Sequence, residues 1–266
     1  MRFIRMDTFL GRTAFPGSSL GRSAVRDSFL TQASFNGHIV FSNWLRSDVE
    51  RLLPRELELC ANTSSTPEAH PVVFIFGEQR EGAMTFGGLT VPMGVNYEEF
   101  AISIPFVRHK RGKHIHIYVA RMYSTYAVAT WNGNFHYGFS KEMAKLWWQG
   151  PVYVVTREDD ALLIHAAVEP SGDWVPGHSC DLPNFAAMHA VFSLPVLGRK
   201  ANGIYVCSYF GWDFGDARVR PADACVSIDS PFIVGLTPRR CHDVPSGTFE
   251  VEGMMWKLSW PIAGRF

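Results

Sequence analysis

The sequence predicts a mainly β domain, a barrel or sandwich with a few short helices packed on it. Three observations predict it. From Val72 onward the chain carries a succession of short runs rich in β-branched and aromatic residues. Only two segments read clearly as helix. The 266 residues contain no internal repeat or low-complexity tract, and all-β units reach this length as single domains.

Residues 1–38, rich in Gly, Ser, Arg and Phe without a sustained period, are expected to form an N-terminal arm that frays or wraps around a partner subunit. Residues 39–266 then make the single domain. A helix is signalled by Ser47-Asp48-Val49-Glu50, which fits a capping box, by Val49, Leu52 and Leu53 on one face, and by Pro54 as a stop. Residues Asn62 to Pro67 are a polar loop. Strands are expected at Val72–Phe76, Phe100–Phe106, Ile115–Val119 and Tyr126–Trp131. The basic stretch Arg108 to His114, interrupted by Gly112, reads as a solvated hairpin turn in preference to an anion site. A second helix is expected from about Ser140, with Met143, Leu146 and Trp147 on one side and Gly150-Pro151 at its end. Further strands are expected at Val152–Thr156, Ala161–Val168, Gly203–Tyr209, Ala224–Ile228 and Met254–Trp260. The period of Asn184–Phe192 does not separate helix from strand.

Composition narrows the function. With 47% hydrophobic and 19% charged residues the chain is globular, and 25 basic against 25 acidic residues leave no net charge. That balance argues against a nucleic-acid partner held by phosphate neutralisation and against a polybasic membrane-surface protein, and it permits oligomers. The five cysteines are odd in number and widely spaced, and charges break the apolar run a signal peptide needs at Met1 to Asp7. No window reaches the roughly eighteen apolar residues of a membrane span. A cytoplasmic, soluble protein without membrane or nucleic-acid partners is the expectation. His114-x-His116 places two imidazoles on one face of a strand, but no third ligand stands at a diagnostic spacing, and no metal site is expected. A G-x-S-x-G elbow, a P-loop and the dinucleotide-binding glycine spacing are missing from the sequence.

One segment stands out: Gly133-Asn134-Phe135-His136-Tyr137-Gly138-Phe139-Ser140-Lys141-Glu142-Met143-Ala144. It sets a lysine at the expected first turn of a helix, where the peptide dipoles disfavour an ammonium. Tyr137 and Phe139 beside it are suited to excluding water. An uncharged amine is what carbonyl chemistry requires. On these residues alone, a lysine snorkelling from a helix start is the commoner reading.

The segment resembles the active-site signature of the acetoacetate decarboxylase family, whose usual form is G-R-E-[apolar]-[aromatic]-G-[aromatic]-P-K-K. Upstream, Tyr97-Glu98-Glu99-Phe100-Ala101-Ile102-Ser103-Ile104-Pro105 is similar to the family strand that brings a glutamate toward the lysine, with Glu99 at the matching place. The similarity extends to Asp48–Leu57, to Cys180–Phe185 with Pro183-Asn184, and to Met254–Pro261, in the family's order. The resemblance implies a cone-shaped antiparallel β-barrel, assembled as a homo-oligomer, with the lysine buried at its centre. It implies that Lys141 adds to a keto-acid or other carbonyl substrate, forms an iminium and uses it as an electron sink. Glu99 would orient substrate or shuttle a proton, and no metal or organic cofactor is needed.

Around Lys141 the signature residues Phe139, Tyr137, Asn134 and Glu142 are the expected substrate-binding set. His136 is either an extra acid or base or a histidine packed on Tyr137. The pattern departs from the family in three ways. Glu142 replaces the second lysine; Asn134-Phe135 and Ser140 replace Arg-Glu and Pro; and no arginine matches within Ala33–His38. The expected function is a cofactor-independent Schiff-base lyase on a keto acid, a decarboxylase or an aldolase-dehydratase or cyclase. The alternative is a β-barrel that binds a small molecule without turning it over.

Overall fold

The computed structural model describes residues 29–62, 65–86, 89–229 and 238–264. Its first half runs β1 (Phe29–Leu45), α1 (Arg46–Leu52), β2 (Leu57–Leu59), β3 (Ala69–Phe86), β4 (Leu89–Pro92), β5 (Tyr97–His109) and β6 (His116–Ser124). Next come α2 (Ala127–Tyr137), β7 (Lys141–Met143), β8 (Lys145–Gln149), β9 (Val152–Thr156), β10 (Leu162–Pro170) and β11 (Val175–Pro176). The chain continues through α3 (Phe185–Phe192), β12 (Val196–Arg199), β13 (Tyr205–Ser208), β14 (Phe210–Asp213), β15 (Arg218–Ile228), β16 (Arg239–Ser259) and β17 (Ile262–Ala263).

The fold is mainly β, as the sequence predicts. An antiparallel series of ladders runs β8–β9–β10–β15–β16–β1–β3–β5–β6. From there the sheet returns toward its start, because β7 pairs in parallel with β6 while β8 pairs with β9. Between β7 and β8 stands one residue, Ala144, whose N–H donates to Ser124 O at 3.1 Å. The expected mainly β, barrel-like fold is present, as a sheet that turns back toward its first strands without closing completely, the gap in pairing falling at Ala144. A second parallel contact sets β12 on the other part of β6.

Alternating burial explains the strands. Along β10 and β15 the apolar residues Ile164, Ala166 and Val168 and Ala222, Ala224, Val226 and Ile228 are buried. A core of stacked rings lies between the sheet faces, with Phe76 and Phe100 centroids 5.3 Å apart and Tyr153 5.2 Å from Phe76. On another face α3 buries Phe185, Met188, Val191 and Phe192 against Phe41 and Phe249, and so resolves the ambiguous segment as helix.

The helix at 46–52 forms, and Val49 and Leu52 are its buried residues. It makes no side-chain cap. The Arg46 N–H instead donates to Glu68 O, and the Asp48 carboxylate accepts from Arg239. The basic stretch is a turn between β5 and β6, as expected. In three places the expectation is corrected. Residues 29–38 of the supposed arm belong to β1, which pairs with both β3 and β16; residues 1–28 lie outside the described residues. Tyr126–Trp131 is not a strand but the beginning of α2, and the helix expected from Ser140 is the strand pair β7 and β8. The physical cause is the same for both. Helix α2 exposes its large apolar residues Val128, Trp131 and Phe135 and buries Gly133 and Tyr137, so its pattern misreports its period.

Three strands are tied by one charge cluster. Glu250 on β16 stands opposite His38 on β1 and Arg220 on β15, with Arg220 Nε 2.6 Å and His38 Nε2 3.8 Å from its carboxylate. Burial raises its pKa, but His38 and Arg220 more than offset this and hold it at about 2. A depressed carboxylate pKa contributes stability that is present above the ordinary value of 4.5 and is lost as pH falls toward 2. Replacing the cation, Arg220→Leu, is expected to move the acid-unfolding midpoint to higher pH when followed by tryptophan fluorescence; an unchanged midpoint contradicts this role for the cluster.

Candidate active site

Strand alternation builds one wall of a cavity. On β5, Tyr97, Glu99, Ala101 and Ser103 stand two residues apart and all line it. On the neighbouring β6, Ile117 and Val119 continue the wall. There the register shifts: Ser103 faces Val119 but Ile102 faces Arg121, which leaves Ala120 as an extra residue. A one-residue bulge exchanges the faces of a strand. Met122 consequently lines the cavity, and Arg121 points away from it to pair with Glu142.

Lys141 reaches the same cavity from β7. Helix α2 ends at Gly138, whose φ of 65° closes the helix in the left-handed region that glycine adopts freely. The chain then turns through Phe139 and Ser140 onto β6, where Lys141 pairs with Met122. Asn134 fixes this turn. Its Nδ2 donates to Lys141 O at 2.8 Å and its Oδ1 accepts from Lys141 N at 2.9 Å. The lysine stem passes over Gly133, where a Cβ would lie 3.1 Å from Lys141 Cδ. The side chain ends on Glu99, with Nζ ion-paired to Oε2. The lysine side chain is buried, 5% exposed, and the glutamate is partly buried, 13% exposed. Taking either charge from water alone costs several kcal/mol, so each is the other's compensation.

Aromatic rings surround the pair. The Tyr97 ring centroid lies 5.5 Å from Lys141 Nζ, and Tyr97 is 5.7 Å from Tyr126. Burial, and then the Glu99 charge, push the Tyr97 phenol well above its ordinary value, so near neutral pH it is an uncharged hydrogen-bond donor. Tyr137 and Phe139 stack with centroids 5.5 Å apart, and burial raises the Tyr137 phenol to about 12. Behind the wall, Glu98 faces the opposite side of β5 and accepts from Tyr153 OH at 2.7 Å; burial raises its pKa. The cavity measures about 130 Å³.

Of the residues read from the sequence, Lys141, Glu99, Tyr137 and Phe139 come together in the cavity lining. Asn134 acts on the Lys141 backbone, so its expected contact with substrate is corrected to a positioning role. Glu142 is corrected likewise: it follows Lys141 on a strand, turns to the other face and pairs with Arg121. His136 lies outside the cavity lining, its ring packed on Phe135, Trp131 and Trp260 at 4.9, 5.6 and 6.2 Å. Burial, and then the Lys200 charge, lower its pKa. Of its two readings the packed histidine fits this placement. Lys141 does not begin a helix, so the expected effect of helix dipoles does not apply to it. His114 is exposed and His116 buried, with a pKa lowered to about 4 by burial.

Sequence reasoning missed Tyr97, Ser103 and Tyr126, and the aromatic side chains Phe210, Trp212 and Trp256 that line the cavity from β14 and β16. Counting by twos from Glu99 finds Tyr97 and Ser103. No sequence signal points to the β14 and β16 residues, which reach the site through strand pairing.

Mainly β chains with the acetoacetate decarboxylase fold are what this structure resembles. Acetoacetate decarboxylase from Legionella pneumophila matches with a TM-score of 0.57 at 13% identity, over 96% of this chain and 98% of that one. The enduracididine biosynthesis enzyme MppR, in complex with pyruvate, matches with a TM-score of 0.56 at 16% identity, over 94% and 95%. An acetoacetate decarboxylase-like enzyme from Sphingomonas wittichii RW1 matches with a TM-score of 0.53 at 13% identity, over 96% and 100%. No family model matches the sequence, and the comparison with curated proteins finds no match.

The Asn134 clamp is the most direct mutational handle on the site. Asn134→Ala removes two hydrogen bonds and leaves the Lys141 N–H with only its turn contact to Phe139 O. A loss of about 1–3 kcal/mol is expected in urea unfolding. A variant as stable as the parent would show that the clamp contributes nothing.

Proposed function

We propose that the protein is a cofactor-independent Schiff-base lyase acting on a keto acid through Lys141. The observation that carries this reading is a buried primary amine at the wall of a mainly apolar cavity, held against one carboxylate. The ion pair supplies both forms the reaction needs. Passing the ammonium proton to Glu99 frees the nitrogen lone pair, which attacks the substrate carbonyl carbon while the carbonyl oxygen takes a proton. Expulsion of that oxygen as water leaves an iminium. The cationic nitrogen then accepts the electron pair released when the bond between the α-carbon and the carboxylate breaks and carbon dioxide departs, or when a base removes an α-proton. Glu99 moves these protons, and the face of the Tyr97 ring, its phenol uncharged near neutral pH, lies 5.5 Å from the reacting nitrogen. Reprotonation at carbon and hydrolysis return the free lysine.

The departures from the family signature favour a second reading, a barrel that binds a carbonyl compound without turning it over. A single measurement separates the two. The protein is incubated with acetoacetate, pyruvate and larger keto acids, reduced with borohydride and digested for mass spectrometry. An adduct on Lys141 is expected, together with release of carbon dioxide or a conjugated product from at least one substrate. Glu99→Gln is expected to slow turnover by ~10²–10⁴-fold. Binding with no adduct for any carbonyl favours the second reading.

A further inference from the structure

We infer that the substrate's carbonyl is carried on an uncharged aromatic or branched-alkyl group that lies against the tryptophan-rich wall of the cavity. The inference rests on the Schiff-base reading for the carbonyl end and on the cavity for the rest. Size is the first argument. An apolar cavity of roughly 150 Å³ holds a benzene ring, so one of about 130 Å³ is of the size that takes a ring or a branched alkyl group.

Shape is the second. Glu99 stands on β5, whereas the aromatic wall stands on β14 and β16. Trp212 and Trp256 are cross-strand partners, Phe210 lies 4.8 Å from Trp212 and 5.4 Å from Trp256, and the Trp256 indole N–H donates to Gln79 Oε1 at 2.7 Å. Gln79 pairs in turn with Tyr97, whose ring lies 5.5 Å from Lys141 Nζ, so the aromatic wall adjoins the lysine end of the cavity. Preformed aromatic faces of this kind take rings or branched alkyl groups.

Charge is the third. Among the described residues that line the cavity, Lys141 and Glu99 are the only charged side chains. The bulge at Ala120 turns Arg121 out of the wall. A carboxylate set against the tryptophans would meet no cation among the described lining residues, so any acidic group of the substrate belongs beside Lys141.

A set of three ketones tests this on the full chain. Benzylacetone adds a benzyl group to the acetone frame without adding charge. Burying a ring of that size is expected to make its borohydride trapping on Lys141 about ten- to a hundredfold more efficient than that of acetone. The para-carboxylated benzylacetone is expected to lose most of the gain. Equal trapping of all three overturns the inference. Binding of benzylacetone to Lys141→Met, read by calorimetry and tryptophan fluorescence, is expected to persist, since the aromatic wall is untouched. Persistent binding with no adduct on the parent protein from any carbonyl would retain the apolar occupant and remove the lysine chemistry. Trapping of small keto acids, with benzylacetone neither favoured nor bound, would retain the chemistry and overturn the inference.

Discussion

A lysine and a glutamate, 42 residues apart in sequence, neutralise each other in the wall of a mainly apolar cavity. Much of the local structure follows from that constraint. An amine this deeply buried demands a partner, and the partly buried carboxylate demands one too. The chain meets both demands by placing Glu99 on the cavity side of β5 and by bringing Lys141 in on a short strand immediately after a helix. Removing either side chain leaves the other charge without its compensation.

The positioning of the amine depends on backbone more than on side-chain contacts. Gly138 ends α2 in a left-handed turn, Gly133 leaves space for the lysine stem, and Asn134 fastens the Lys141 peptide from both sides. Asn134 stands where the family signature has arginine, and its short amide spans the turn between the helix and β7. Glu142 stands where the signature has a second lysine. Strand geometry carries that carboxylate away from the cavity, so the substitution does not set an acidic group beside the amine.

One extra residue at Ala120 decides the electrostatics of the opposite wall. Side chains alternate along β6 until the bulge; beyond it the sense reverses, Met122 faces inward and Arg121 outward. The cavity therefore stays apolar next to its single ion pair, and Arg121 is left to meet Glu142 on the outer face. A low-polarity surround strengthens the attraction between Lys141 and Glu99 and makes either charge costly alone.

By itself the sequence determined the strand-rich class, the helix at 46–52, the turn after β5 and the identities of Lys141 and Glu99. These depend on local features: runs of β-branched residues, a proline stop, and a short motif around each of the two site residues. Tertiary structure alone decided the helical state of 127–137 and the extended state of 141–149. Trp131 and Phe135 point outward on α2, and the 143, 146 and 147 spacing that suggested a helix belongs to strands whose buried residues are Lys141 and Leu146. Strand pairing likewise brought Phe210, Trp212 and Trp256 to the cavity and carried Glu142 and Arg121 away from it. The physical reason is common to all of these: which face of an element is buried is set by what packs against it, and those neighbours lie far away in sequence.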